Sequence, residues 1–320
     1  MQLPSLQEIK NATDFVRTVM PPTPQYSWPL LNTRSGSEIW VKHENHSPVG
    51  AFKLRGALVY LNWLKQTDPS ISGVIAATRG NHGQGVALAS SRLGLKSTVV
   101  IPHGNSREKN RAMQSLGAEL IEHGDDFQAA LEHATALAET RRLHFVPSFH
   151  PLLVLGTATY ALEMLQGVPE LDTVYVPIGL GSSICGMIAV RNALGLRTKI
   201  VGVVAETAPA YAVSFREKQP VSRPANSPLA DGLSCRVPVP EALEVILANA
   251  DRVVEVSEPE IAAAMRAYYE DTHNIAEGAA AAGLAGLLKE RAVLQGKRVG
   301  VVFTGSNVDR EVFLEALKAV

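Results

Sequence analysis

The sequence predicts an α/β fold of mostly parallel sheets covered on both faces by helices. Short, nearly continuous apolar stretches recur along the chain, among them Gly73-Val74-Ile75-Ala76-Ala77, Thr98-Val99-Val100-Ile101, Thr173-Val174-Tyr175-Val176 and Arg298 to Phe303. Each is followed by a segment with helical spacing, and strands buried on both faces lack the alternation of a half-wet sheet. The chain has 320 residues, 46% of them hydrophobic, which suits two domains or one large α/β domain.

The elements follow in order. Ser5-Leu6-Gln7-Glu8 has capping-box spacing, so a helix starts there and ends before Pro21-Pro22. Thr23-Pro24 is extended, Glu38 to Lys42 is a strand, and a helix opens at Lys53 after the turn marked by Pro48 and Gly50. Strands over 73–77, 98–101, 119–122 and 144–146 then alternate with helices over 81–93, 106–116 and 126–140. After Pro151, a helix over 157–165 leads to a strand at 173–176, a helix over 183–194 and a strand at 199–204. Gln219 to Pro240 is the longest irregular stretch, with prolines at 220, 224, 228, 238 and 240; a loop of that length is functional or disordered. A strand at 252–256, helices over 259–269 and 278–288, a strand at 298–303 and a helix over 307–317 complete the chain.

Bulk properties exclude several classes of function. A net charge of −1 gives no basic field for nucleic acid. Arg107 to Arg111 and Arg141-Arg142 read as solvated helix faces. Two cysteines, Cys185 and Cys235, are too few for a disulfide framework and fit a reducing cytosol. Met1 to Ile9 lacks the pattern of a secretory signal, and no apolar run approaches the ~20 residues that span a bilayer. The expectation is a soluble cytoplasmic protein. No HExxH, CxxC or EF-hand spacing occurs, so no metal site is expected, and His43, Glu44 and His46 read as solvated surface.

Three turns that follow strands carry unusual residues, and in open α/β sheets ligands bind at such turns. Thr78-Arg79-Gly80-Asn81-His82-Gly83 opens a helix; its free amides suit a carboxylate, while a plain helix start capped by Asn81 fits equally well. Pro177 to Gly186 contains Gly179-Leu180-Gly181-Ser182-Ser183, whose amides and hydroxyls suit a phosphate. It fails the dinucleotide fingerprint because Ile184 stands at the third glycine, which disfavours a nicotinamide-dependent dehydrogenase. Thr304-Gly305-Ser306-Asn307 reads as a helix cap at Ser306 or Asn307. Lys53 lies between Phe52 and Leu54. A lysine held against apolar surface loses preference for its charged form and becomes a nucleophilic amine, although a lysine reaching out to water is the commoner case.

In this order the signals resemble the fold-type II pyridoxal-phosphate enzymes, within them the serine/threonine dehydratase and serine racemase group. The residues that carry the resemblance are Gly50-Ala51-Phe52-Lys53-Leu54-Arg55-Gly56-Ala57, Gly80-Asn81-His82-Gly83-Gln84, Pro177 to Gly186 and Thr304 to Asn307. The resemblance implies two domains, each an open, mostly parallel sheet flanked by helices: a large one over 1–65 and 150–320, and a small one over 66–149. It implies pyridoxal 5'-phosphate as cofactor, Lys53 as the amine that links to it and as the base, Phe52 beside the ring and Asn81 on the phenolic oxygen. Gly179, Leu180, Gly181, Ser182 and Ser183 would hold the phosphate. Thr304 would face the ring nitrogen and Gly232, in Asp231-Gly232, would lie next to the cofactor. Thr78, Arg79, Asn81 and His82 would bind substrate, and Glu277-Gly278 would line the site.

A threonine hydroxyl at the ring nitrogen favours β-elimination over a long-lived carbanion. The activity so implied is an ammonia-lyase converting L-threonine or L-serine to a 2-oxo acid and ammonia. Alternatives are a 3-hydroxyaspartate dehydratase using Arg79 for a second carboxylate, β-replacement of the cysteine synthase type, and a non-catalytic cofactor-binding homologue. The family also implies a homodimer. This chain departs from the family in three places. Leu180 and Ser182 replace glycines of the phosphate loop, which places Leu180 in a backbone conformation open to ordinary residues. Arg79 replaces the serine that racemases use as second base, which argues against racemisation. Glu206 matches the first metal-binding acid of metal-dependent members, but the second falls at Ala212. By that resemblance, no C-terminal segment for the regulatory domain of the long biosynthetic threonine deaminases is expected.

Overall fold

A computed structural model describes residues 1–168 and 170–318. In chain order the elements are α1 (Leu6–Arg17), β1 (Gln25–Ser27), α2 (Pro29–Ser35), β2 (Glu38–His43), α3 (Lys53–Thr67), β3 (Gly73–Ala77), α4 (Asn81–Arg92), β4 (Lys96–Ile101), α5 (Arg107–Ser115), β5 (Glu119–Glu122), α6 (Phe127–Thr140) and β6 (His144–Phe145). They continue with α7 (Pro151–Gly167), β7 (Thr173–Pro177), α8 (Ser182–Ala193), β8 (Lys199–Ala205), α9 (Ala210–Glu217), α10 (Pro240–Asn249), β9 (Arg252–Val256), α11 (Glu258–Thr272), α12 (Gly278–Lys289), β10 (Arg298–Phe303) and α13 (Arg310–Lys318).

Two sheets result. The larger has the order β1-β2-β10-β7-β8-β9, parallel except for the short antiparallel edge strand β1. The smaller, β5-β4-β3-β6, is parallel throughout. Both faces are covered, as the apolar strands require. On β7, Tyr175 packs with α11 and α12, while Val174 and Val176 pack with α7, α8 and α10. In the small sheet, Ile75 and Val100 face α6, and Val99 and Ile101 face α4 and α5.

Strand order creates the places where a ligand can enter. The chain runs β7 to β8 to β9 in one direction and then returns to place β10 on the other side of β7. In the same way it runs β3 to β4 to β5 and returns to place β6 beside β3. Helices leave in opposite directions at each reversal and open a crevice at the carboxyl ends of the strands. All three unusual turns lie at such ends, after β3, β7 and β10.

Several expectations need correction. The helix expected at 157–165 begins six residues earlier, with Pro151 at its first position and His150 as N-cap. Proline suits that position, where no backbone N–H is needed. The last helix begins at Arg310, so Ser306 and Asn307 are not its cap. Residues 210–217 and 240–249 form helices, and 25–27 and 29–35 form a strand and a helix that the sequence pattern does not announce. His43 and Glu44 are fully buried rather than solvated, and only His46 is exposed. Within Arg107 to Arg111, both arginines are exposed as expected, but Lys109 between them is buried.

Candidate active site

The residues singled out in the sequence come together around one cavity of about 460 Å³. Its lining includes Phe52, Lys53, Thr78, Arg79, Asn81, His82, Gly179, Leu180, Gly181, Ser182, Ser183, Gly232 and Thr304. Every candidate site residue is therefore on this wall.

Lys53 is the first residue of α3. The helix start is fixed from three sides. The Phe52 N–H donates to the Thr304 carbonyl at 3.0 Å. A Cβ on Gly85 of α4 would approach the Lys53 carbonyl within 3.0 Å. On the far side α3 crosses α7 where Gly56 and Gly156 face each other, and a Cβ on Gly156 would collide with the α3 backbone. The Lys53 ammonium makes no hydrogen bond among the described residues; it lies 4.9 Å from the Phe52 ring centroid. Burial pushes its pKa down to about 8, against the charge of Glu277.

The phosphate-type loop sits at the start of α8. Gly181 has φ 101°, a left-handed conformation that glycine adopts freely. Leu180 is not among the positive-φ residues, in agreement with the expectation from its side chain. A Cβ on Gly179 would collide with the Gly232 carbonyl, so the Asp231-Gly232 segment lies directly against the loop. The loop's own polar groups are anchored from behind. Tyr211 donates to the Leu180 carbonyl at 2.9 Å, Thr157 donates to the Ser182 carbonyl at 2.8 Å, and the Tyr160 hydroxyl lies 2.6 Å from Ser183 Oγ. The first amides of α8 have no intrahelical carbonyl to bond.

Asn81 is the first residue of α4 rather than its cap, which is Gly80. Its side chain donates to Glu277 Oε1 at 2.7 Å and accepts from Asn307 Nδ2 at 2.8 Å. Asn307 thus fixes the amide orientation instead of capping a helix. Burial pushes Glu277 up to about 7, and its Oε2 has no hydrogen-bond partner. Burial and the charge of Lys53 push His82 down to about 3, so the imidazole is neutral at physiological pH, with Nε2 buried and unpartnered. Two groups that titrate near neutrality, Lys53 and Glu277, therefore share one cavity wall. Such perturbed pairs mark functional sites.

Sequence reasoning missed Lys109. It donates to Asp231 Oδ2 at 3.0 Å, and its side chain lies where a Cβ on Gly80 would fall. Burial alone would lower its pKa, but Asp231 and Glu277 outweigh that and hold it raised. The only sequence signal was the apolar Met113 four residues on, which sets that helix face inward. Glu206 pairs with Lys289 at 3.5 Å, and among the described residues no group of three or more His, Cys, Asp or Glu is placed to hold a metal. No helix among them is long and apolar enough to cross a membrane.

This fold and wall define a pyridoxal-phosphate enzyme of fold type II. The family profile described as "Pyridoxal-phosphate dependent enzyme" matches residues 16–305, and the chain belongs to that family. It is 33% identical over 290 residues to the biosynthetic L-threonine dehydratase of Haemophilus influenzae, which covers 90% of this chain and 56% of that protein. The chain thus spans little more than half the length of this relative. It is 31% identical to the L-threo-3-hydroxyaspartate ammonia-lyase of Saccharomyces cerevisiae, covering 97% of this chain and 95% of that one. The processed form of threonine deaminase isoform 2 from Solanum lycopersicum superposes with a TM-score of 0.90 at 26% identity, covering 99% of this chain and 95% of that one.

The residues present fit the cofactor. An amine of lowered pKa, an amide-rich loop at a helix start and a glycine cradle under Gly232 occupy one cavity.

Proposed function

We propose that this protein is a pyridoxal-phosphate-dependent ammonia-lyase that removes water from a small 3-hydroxy amino acid and releases a 2-oxo acid and ammonia, with L-threonine and L-serine in the substrate class. The observation that carries the reading is Lys53, an amine of lowered pKa without a hydrogen-bond partner on the cavity wall. The names of the Haemophilus and Saccharomyces relatives support it, because both substrates carry a hydroxyl on Cβ.

The cofactor, when bound, supplies a carbonyl for amine exchange and an electron sink for bonds at Cα. The protein supplies the rest. Gly179 to Ser183 would hold the phosphate through α8 amides and the serine hydroxyls, and Thr304 would serve the ring nitrogen. Thr78, Asn81 and His82, with the free amides of α4, take the substrate carboxylate. Phe52 flanks Lys53 and keeps water from it. A pKa of about 8 leaves a usable fraction of Lys53 neutral near pH 7 to 8, so it can attack and later accept the α-proton. Glu277, at about 7, is placed to hold or release a proton at Oε1 or Oε2 beside Asn81.

The two separate sheets support a division into domains over 1–65 with 150–320 and over 66–149. Two free cysteines support a reducing, cytoplasmic setting, and the family resemblance supports a homodimer.

The test is spectroscopic and chemical. Purified, dialysed protein supplemented with pyridoxal phosphate should gain the visible band of lysine-bound cofactor. It should then release 2-oxo acid from L-serine or L-threonine without added thiol. A bound-cofactor band with no 2-oxo acid until a thiol is supplied would instead indicate β-replacement.

A further inference from the structure

Two cations on the cavity wall have no carboxylate to meet. Arg79 comes from the turn after β3, in the small sheet, and Arg236 from the irregular segment that follows Asp231-Gly232. Neither side chain makes a hydrogen bond or ion pair among the described residues. Both side chains are exposed at the mouth of the cavity rather than packed into its wall.

The acids on the same wall are already engaged. Asp231 holds Lys109 at 3.0 Å. Glu277 accepts from Asn81 at 2.7 Å. Asp126 caps α6 by accepting from the Ala129 N–H at 2.8 Å. The cavity therefore keeps a surplus of fixed positive charge on two walls, beyond the groups that hold the cofactor and the first carboxylate.

The backbone at each arginine is hydrogen-bonded. The Thr78 hydroxyl accepts from the Gly80 N–H at 3.0 Å and closes the turn around Arg79. The Arg236 carbonyl accepts from the Arg223 N–H at 3.0 Å. A guanidinium stays charged at any working pH and presents a planar fork that matches a carboxylate. Threonine or serine would offer these two forks only a methyl or a hydrogen on Cβ.

We propose that Arg79 and Arg236 form a subsite for a second carboxylate on the substrate's Cβ, so that the preferred substrate class is the dicarboxylic 3-hydroxy amino acids, of which 3-hydroxyaspartate is the smallest. This rests on the ammonia-lyase reading. The reaction balances without an oxidant or reductant. The Cα–H and Cβ–O bonds break and water leaves; the resulting enamine takes up a proton as its imine. Water then adds at Cα to give the 2-oxo dicarboxylic acid and ammonia.

The test compares kcat/KM for ammonia release from 3-hydroxyaspartate, L-serine and L-threonine in wild-type holoenzyme, Arg79→Ala, Arg79→Lys and Arg236→Ala. The dicarboxylate should exceed serine by at least about 10-fold. Each alanine variant should lower that ratio by about 10–100-fold, mainly through KM, and Arg79→Lys should recover part of it. Calorimetric titration with succinate and butyrate gives a readout free of turnover. Succinate should bind at least about 10-fold tighter than butyrate, and the double alanine variant should erase the difference. Turnover of serine with 3-hydroxyaspartate inert, or a ratio unmoved by both arginine variants, overturns the subsite. Absence of ammonia from all three amino acids, with the succinate preference intact, overturns the lyase reading while supporting the subsite.

Discussion

Lys53 and Arg55 stand two residues apart in the first turn of α3 and face opposite fates. Arg55 is fully buried, yet every part of its guanidinium is met: Nε and Nη2 by Glu44 at 2.7 and 3.0 Å, Nη1 and Nη2 by Glu163 at 2.9 and 2.8 Å, and Nη1 by Thr159 at 3.0 Å. Lys42 completes the group by donating to Glu163 at 2.6 Å and to the Thr23 carbonyl at 2.7 Å. Two cations and two anions cancel, and Arg55 and Lys42 hold the buried Glu163 carboxyl below its ordinary range. Lys53 has the Phe52 ring and the distant charge of Glu277, and no hydrogen bond among the described residues. Arg55 is fully buried and Lys53 half-buried, so both are partly withdrawn from water. What separates a structural ion from a reactive amine is whether the fold supplies partners for the charged form.

The contrast can be broken from either side. Lys53→Ala should remove the visible cofactor band and lower ammonia release by at least about 10³-fold, with far-UV circular dichroism unchanged; retained turnover would show that the amine is not the base. Arg55→Met leaves Glu44 buried without its cation and Glu163 with Lys42 alone, and urea titration of the variant should show a loss of about 3–5 kcal/mol.

Glu277→Gln addresses the pH dependence. The folded-state pKa of Glu277 is raised to about 7 from 4.5, so between those values the native state holds the proton more tightly than the unfolded chain. This group therefore makes stability fall as pH rises from 4.5 to 7, by on the order of 3 kcal/mol in total, and has no further effect well above 7. Urea midpoints of cofactor-free protein across this range should slope less in Glu277→Gln. A parallel slope in the two proteins would mean that Glu277 is ionised throughout.

Tyr211→Phe removes the hydroxyl that donates to the Leu180 carbonyl and accepts from the Val239 N–H at 3.0 Å. A loss of about 1 kcal/mol should appear as roughly five-fold faster cofactor release. The smallest effect belongs to an exposed pair. Arg141→Ala, which frees Glu119, should cost under about 1 kcal/mol in the same urea assay, less still at high salt.

Where local chemistry dictates structure, the sequence was readable. The Ser5 and Glu8 capping box is present, and strands 73–77, 119–122, 252–256 and 298–303 fall where their apolar runs place them. The readings that failed depended on distant partners. Three-residue β1 exists only because β2 offers an edge. Pro151 and Pro240 read as breaks, yet both open helices. Glu44 reads as surface because nothing near it in sequence shows that Arg55 and Thr23 will meet it. Lys109 reads as one more charge on a solvated helix, and only the fold carries it to Asp231, more than a hundred residues away in sequence.

The sequence by itself determined the α/β class, most of its strand–helix alternation and the glycine-bearing turns that line the cavity. Apolar periodicity, glycine-bearing turns and an isolated lysine are local properties, and local sterics and solvation act on them in any context. Only the tertiary structure decided which of the charged residues would be silenced and which left reactive. That outcome depends on distances between residues far apart in the chain, and Coulomb and desolvation energies both change steeply with those distances and with depth. Lys53 and Arg55 share a helical turn, but α7 and the turn after β2 bring acids to one of them, while the crevice at the strand ends leaves the other facing the cavity.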